Sequence, residues 1–193
     1  MDKANLLRCI AEAGYNIGFG AKKHFATAEI AGKGPGWVGV VSAFCGIFGL
    51  LYDPLSGKFA SAALVFAGFC VFYLSTYKIA DYEKAGEDLT AVYNKLRTLY
   101  RSIQGGGSVR AGEAELQALQ TTAHASGITK QVCGSDWFAH FKFFGQQQID
   151  WVDEQLQFRF WKDKVPASAK VLGGLLIFAS LIVGIVLGIR ALI

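Results

Sequence analysis

Charge is scarce in this sequence. Asp, Glu, Lys and Arg make up 18% of its 193 residues, where a soluble domain carries about a quarter. Disorder needs high charge and low hydrophobicity, and here 52% of residues are apolar. Cysteine is sparse too: Cys9, Cys45, Cys70 and Cys133 lie far apart with no CxxC pair, so no disulfide framework is expected. Cys45 and Cys70 fall in apolar stretches, where a thiol packs as a small apolar group. The three histidines, His24, His124 and His140, do not combine with Cys133 into a zinc spacing. The formal net charge is +4, with no basic stripe and no recognised nucleic-acid motif. GKGPG (Gly32 to Gly36) and GGGS (Gly105 to Ser108) lack the spacing of a phosphate loop; they read as a helix break and a flexible turn. Asp150, Asp153 and Glu154 share one helical face and read as solvated. No enzyme, metal, cofactor or nucleic-acid partner is expected.

What is present is grease, gathered into three blocks. Trp37 to Tyr52 and Phe59 to Tyr77 carry no charge, and the turn-forming DPLSGK lies between them. At about 1.5 Å per residue they reach about 24 and 28 Å, against a hydrocarbon core of roughly 30 Å. The third block, from about Val171 to Leu192, reaches about 33 Å; Pro166 precedes it and Arg190 is its only charge. A chain this small has no surface left to bury three such helices, so the lipid bilayer is the expected partner. Five Lys and Arg precede Trp37, Lys58 sits in the turn, and eleven lie between Lys78 and Lys164. Positive residues favour the cytoplasmic side, which places the N-terminus and central region there. Trp37, Tyr52, Tyr77, Phe160 and Trp161 flank the blocks as an aromatic belt. No signal peptide is read ahead of the first block.

Outside the blocks the pattern is helical, with no strand signal. Residues 4 to 32 suit one helix, weakened or bent at Gly14, Gly18 and Gly20. The second span is expected to run on past Lys78 as a cytoplasmic helix. There Tyr82, Leu89, Tyr93, Leu96, Tyr100 and Ile103 form a heptad-like seam that wants a helical partner. A polar helix follows around Glu113 to Ala125. The last cytoplasmic helix, from Ser135 to about residue 162, repeats Trp137, Phe141, Phe144, Gln148, Val152, Leu156 and Phe160; it is expected to fold back along the seam. The fold class is thus all-α: an integral membrane bundle of a two-span hairpin (37–52, 59–77) and a third C-terminal span, with a cytoplasmic helical stalk. Three regions are read, 1–104, 105–165 and 166–193.

Small residues line the spans. Gly39, Ser42, Gly46 and Gly49 share one face of the first; Ala60, Ala63, Ala67 and Cys70 do so on the second; Gly184 and Gly188 form a GxxxG pair in the third, with Gly173 and Gly174 earlier. In lipid such faces let helices approach and gain dispersion contacts. They serve packing within one chain and, beyond that, association into a homo-oligomer. Ser42, Ser61, Ser75 and Thr76 are the few candidates to line a pore, which makes any pore narrow or formed on rearrangement. Lys22 and Lys23 either hold anionic head groups or fix topology.

The layout resembles the SLATT family of bacterial membrane effectors. The resemblance rests on AGYNIGFGAKKHF (Ala13 to Phe25), the basic glycine-containing approach to Trp37, the close-set hairpin and the helix after Tyr77, over about residues 4 to 104. Family members act in antiphage systems beside nucleotide-second-messenger synthases, nucleotide-binding sensors or reverse transcriptases. The resemblance therefore implies a pore-forming or membrane-disrupting effector of the bacterial inner membrane, acting in abortive infection. The third span departs from the basic pattern, and no fused sensor is recognisable. A separate sensor or nucleotide signal is then the expected trigger. The alternative is a passive anchor whose seam docks a soluble partner enzyme.

Overall fold

The computed structural model describes residues 1–51, 57–171, 173–175 and 180. Its helices are α1 (Lys3–Leu51), α2 (Lys58–Ser75), α3 (Ile79–Gln104), α4 (Val109–Ser126), α5 (Ser135–Gln146) and α6 (Asp150–Leu156), with no strand among the described residues. Two compact units emerge, Met1–Leu156 and Gln157–Ile193. Residues 105–156, set apart in the sequence reading, belong to the same unit as the hairpin.

The axis of the first unit is α1, about 74 Å long at 1.5 Å per residue. Asp2 caps it, its carboxylate accepting from the Asn5 amide at 2.8 Å and satisfying a donor the first turn leaves open. In its first 29 residues, Leu6, Ile10, Gly14, Ile17, Ala21, His24 and Ala28 recur at threes and fours and are buried. The helices α3, α4, α5 and α6 pack on α1, as does α2.

The expected break at Gly32 to Gly36 does not occur. The helix passes through with Pro35 inside it, although proline removes a backbone bond and costs roughly 3 kcal/mol in a helix interior. Packing supports the stretch: a Cβ on Gly34 would lie 2.6 Å from the Leu74 side chain of α2, so that side chain packs directly over the glycine. Gly14 and Gly18 are likewise contact points rather than weak points. A Cβ at Gly14 would lie 2.3 Å from the Trp151 ring, and one at Gly18 2.8 Å from Tyr93.

The second span does not run on into the next helix. α2 stops at Ser75, where the Ser75 and Thr76 hydroxyls donate to the Phe72 and Tyr73 carbonyls, and a three-residue joint, Thr76 to Lys78, leads into α3. Every residue of the predicted seam is buried. Its main partner, however, is α1, and the stretch from Ser135 to residue 162 meets the seam only in part. That stretch is two helices, parted at Gln147 to Ile149. Its buried face is Ser135, Ala139, Phe143, Trp151 and Val152, while the predicted Trp137 and Phe141 are exposed. Gln148 and α6 reach the seam: Tyr93 donates to the Gln148 carbonyl at 2.7 Å, Trp151 donates to the Tyr93 hydroxyl at 3.0 Å, and Tyr100 donates to Glu154 at 3.0 Å. Glu154 is thus a bonded group, not merely a solvated one.

In the second unit Gln157 takes a left-handed conformation (φ 50°), and Phe160–Lys164 form a π-helical turn. Within it, the Asp163 carboxylate accepts from the Arg159 amide at 2.9 Å. A helical turn starts after Pro166. Most of the expected third span, with Gly184 and Gly188, lies outside the described residues.

Candidate functional site

Among the described residues, two helices are long and apolar enough to cross a membrane, α1 and α2. Where the N-terminal half of α1 is buried, its last fifteen residues are turned outward. Trp37 is 69% exposed and Leu50 88%, and on α2 Phe59 reaches 93%. An apolar surface of that extent is unfavourable in water and suited to lipid.

The small residues of this hairpin divide between two faces. Ser42, Cys45 and Gly49 on α1 are half-buried, as are Ala60, Ala67 and Cys70 on α2. Gly39 and Gly46 are exposed, and a Cβ added to either meets nothing within 4 Å among the described residues; the same holds for Gly36 and Gly68. Ala63 and Ser61 are exposed as well. Among the described residues, the hairpin therefore uses part of its small-residue surface and leaves another part open.

At the foot of the hairpin the joint Thr76 to Lys78 is tied down by the segment between α4 and α5. Tyr77, read from sequence as an interfacial aromatic, is buried in a cluster with Ala28, Ala31, Tyr82 and Val132. It donates to the Gln131 carbonyl at 3.2 Å, and Tyr82 donates to the Lys130 carbonyl at 2.6 Å. From α1, Thr27 donates to the Gln131 side chain at 2.5 Å and accepts from the Val132 amide at 3.4 Å. His24 bridges the same segment: one ring nitrogen, Nε2, accepts from the Ile128 amide at 2.9 Å, and Nδ1 lies 2.7 Å from the Gly20 carbonyl. Those two bonds fix the neutral tautomer with its proton on Nδ1. The strap, residues 127–134, thus joins α1, the joint and α3 through buried and partly buried polar bonds. Such bonds are individually worth about 1 kcal/mol but cost more when one partner is left buried and unpaired.

The strap was not legible as a site. His24 stood alone in the sequence, and its companions gave no signal, Thr27 and Gln131 being 104 residues apart. His124 and His24 both line a cleft of about 410 Å³ behind the strap, with Asn16 and Gln120. His140 packs instead on Phe19 and Phe144, and Cys133 is exposed.

A family model described as SMODS and SLOG-associating 2TM effector domain 6 matches residues 1–173. No curated protein matches the chain, and no solved structure does.

Proposed function

The chain belongs to the SLATT family of two-span membrane effectors, and from that premise we propose that it acts as a homo-oligomer that permeabilises the bacterial inner membrane in an antiphage, abortive-infection response. Its N-terminus and central helices face the cytoplasm, as the lysine and arginine distribution favours. The trigger is a separate sensor or a nucleotide signal, and no catalysis is involved.

The observation that carries this reading is the open face of the hairpin. A Cβ on Gly39 or Gly46 meets nothing within 4 Å among the described residues, whereas the seam of α3 is already covered by α1. The hairpin therefore offers a second copy a surface where glycine permits close helix approach in lipid. Ser42 and Ser61 supply the polar groups a narrow pore needs.

The test is graded expression in bacteria with membrane potential as readout. Depolarisation and growth arrest are expected on triggering, and Gly46→Leu should abolish both while leaving membrane insertion intact. Normal polarisation when the cognate system is triggered overturns the reading. A second reading, the passive anchor, draws on Trp137 and Phe141, which lie one turn apart and exposed on α5 and offer a docking surface to a soluble enzyme. A monomer in detergent that co-purifies with such an enzyme would favour it.

A further inference from the structure

Below the hairpin, on the side away from the strap's histidine, a cleft of about 470 Å³ is lined by Lys22, Glu29, Lys33, Glu83, Lys142 and Gln146. Lys22, Glu29 and Lys33 fall at i, i+7 and i+11 on α1, which is one helical face; Lys142 comes from α5 and Glu83 from α3. Glu29 organises two of the lysines. It accepts from Lys33 at 2.6 Å and from Lys142, and these two bonds hold its carboxyl below the usual carboxylate range.

Lys22 is different. Among the described residues it has no carboxylate partner, yet it is half-buried. Burial pushes its ammonium below the ordinary lysine value, and the charge of Lys142 adds to the effect. A partly desolvated cation beside a second cation is an unfavourable arrangement unless something compensates it. Three lysines against two carboxylates leave an excess of one positive charge, which is the charge of a phosphodiester with opposite sign. Ammonium donors to phosphate oxygens make strong, charge-assisted bonds.

The cleft runs along α1: Lys33 lies four residues before Trp37, about 6 Å along the helix, and Lys22 fifteen residues before it, about 22 Å, so only its Lys33 end reaches the depth of a head-group layer of about 5–8 Å. We propose that the cleft binds a phosphodiester group, Lys22 and Lys142 donating to its oxygens while Glu29 keeps Lys33 and Lys142 in position. Two sources carry that group: the head group of an anionic phospholipid and a soluble phosphodiester. This assignment is independent of pore formation.

The experiment measures acylation of Lys22 by an amine-reactive ester, read by peptide mass spectrometry against exposed Lys95 on the same chain. The full-length protein is placed in maltoside micelles, which carry no phosphodiester, in phosphatidylglycerol-containing nanodiscs, and in the same micelles with soluble glycerophosphoglycerol. Lys22 should be acylated about tenfold more slowly, the change a 1.4 kcal/mol interaction makes, while Lys95 is unaffected. Protection only in the phosphatidylglycerol discs assigns the site to lipid; protection by glycerophosphoglycerol assigns it to a soluble ligand. Lys142→Gln should remove the protection and Lys142→Arg should keep it. Equal rates in all three preparations, protection of Lys95 to the same degree, or full protection in Lys142→Gln would overturn the proposal.

Discussion

Glycine at the residue scale plays two opposite parts in this chain, and the difference is spatial. A Cβ at Gly14 would lie 2.3 Å from the Trp151 ring, whereas one at Gly39 meets nothing within 4 Å. In a helix interior alanine is ordinarily better than glycine by about 0.5–1 kcal/mol. At Gly14 that gain is outweighed by overpacking, which costs about 1–3 kcal/mol, because Trp151 is itself fixed by its bond to Tyr93. Gly14→Ala should therefore lower the thermal midpoint of the detergent-solubilised protein, and Gly39→Ala should leave it unchanged or raise it slightly; circular dichroism at 222 nm reads both. The buried tyrosines make a second prediction. Burial pushes Tyr82, Tyr93 and Tyr100 above the ordinary phenol value of 10.0. A group whose folded pKa is raised stabilises the fold below the unfolded value and stops doing so as pH climbs through the folded one. Alkaline titration should accordingly leave these three phenols protonated past pH 10, and their late ionisation, followed by absorbance at 295 nm, should coincide with loss of helicity.

Whole elements show how much the sequence disclosed. The hairpin was legible because uncharged runs of about twenty residues admit few readings, and the seam of α3 was legible because heptad spacing marks a buried face. Its partner was not, since periodicity says that a face is buried but not by what. The break at Gly32 to Gly36 was misread for a related reason: local propensity disfavours helix there, and the contact of Gly34 with Leu74, 40 residues away, overrides it. The stripe on α5 went wrong because aromatic residues at threes and fours were taken as the buried face, whereas Ala139 and Phe143 are. The strap was out of reach altogether, being built from hydrogen bonds between residues about 50 to 105 apart. Continuity of α1 gives a test. Pro35→Ala restores a donor to a helix that is already formed, so ellipticity should not rise, while amide exchange over residues 31–36 should slow. A gain in helical signal would show that the wild-type helix is broken there.

At the largest scale, the first unit couples its helical core to the membrane hairpin by two routes. One is α1, a single rod that carries the helical core on its first half and a wall of the hairpin on its second. The other is the joint Thr76 to Lys78, where no helix runs through and position depends on the strap. A continuous helix bends only gently without a kink-forming feature, and the proline in α1 is braced by α2. The joint is therefore the softer of the two, and a signal that shifts the strap would reach α2 before it deformed α1. Tyr77 is the residue on which this turns, since its hydroxyl lies 2.6 Å from that of Tyr73 while also donating to Gln131. Tyr77→Phe keeps the ring in its apolar cluster and deletes only those bonds, each worth about 1 kcal/mol, which together correspond to a shift of about tenfold or more in a two-state equilibrium. Reconstituted in dye-loaded vesicles, the variant should leak without any trigger, severalfold faster than the parent at equal protein density. Leakage unchanged in Tyr77→Phe and equally in Tyr82→Phe would mean that the strap holds the fold together but does not gate the membrane helices.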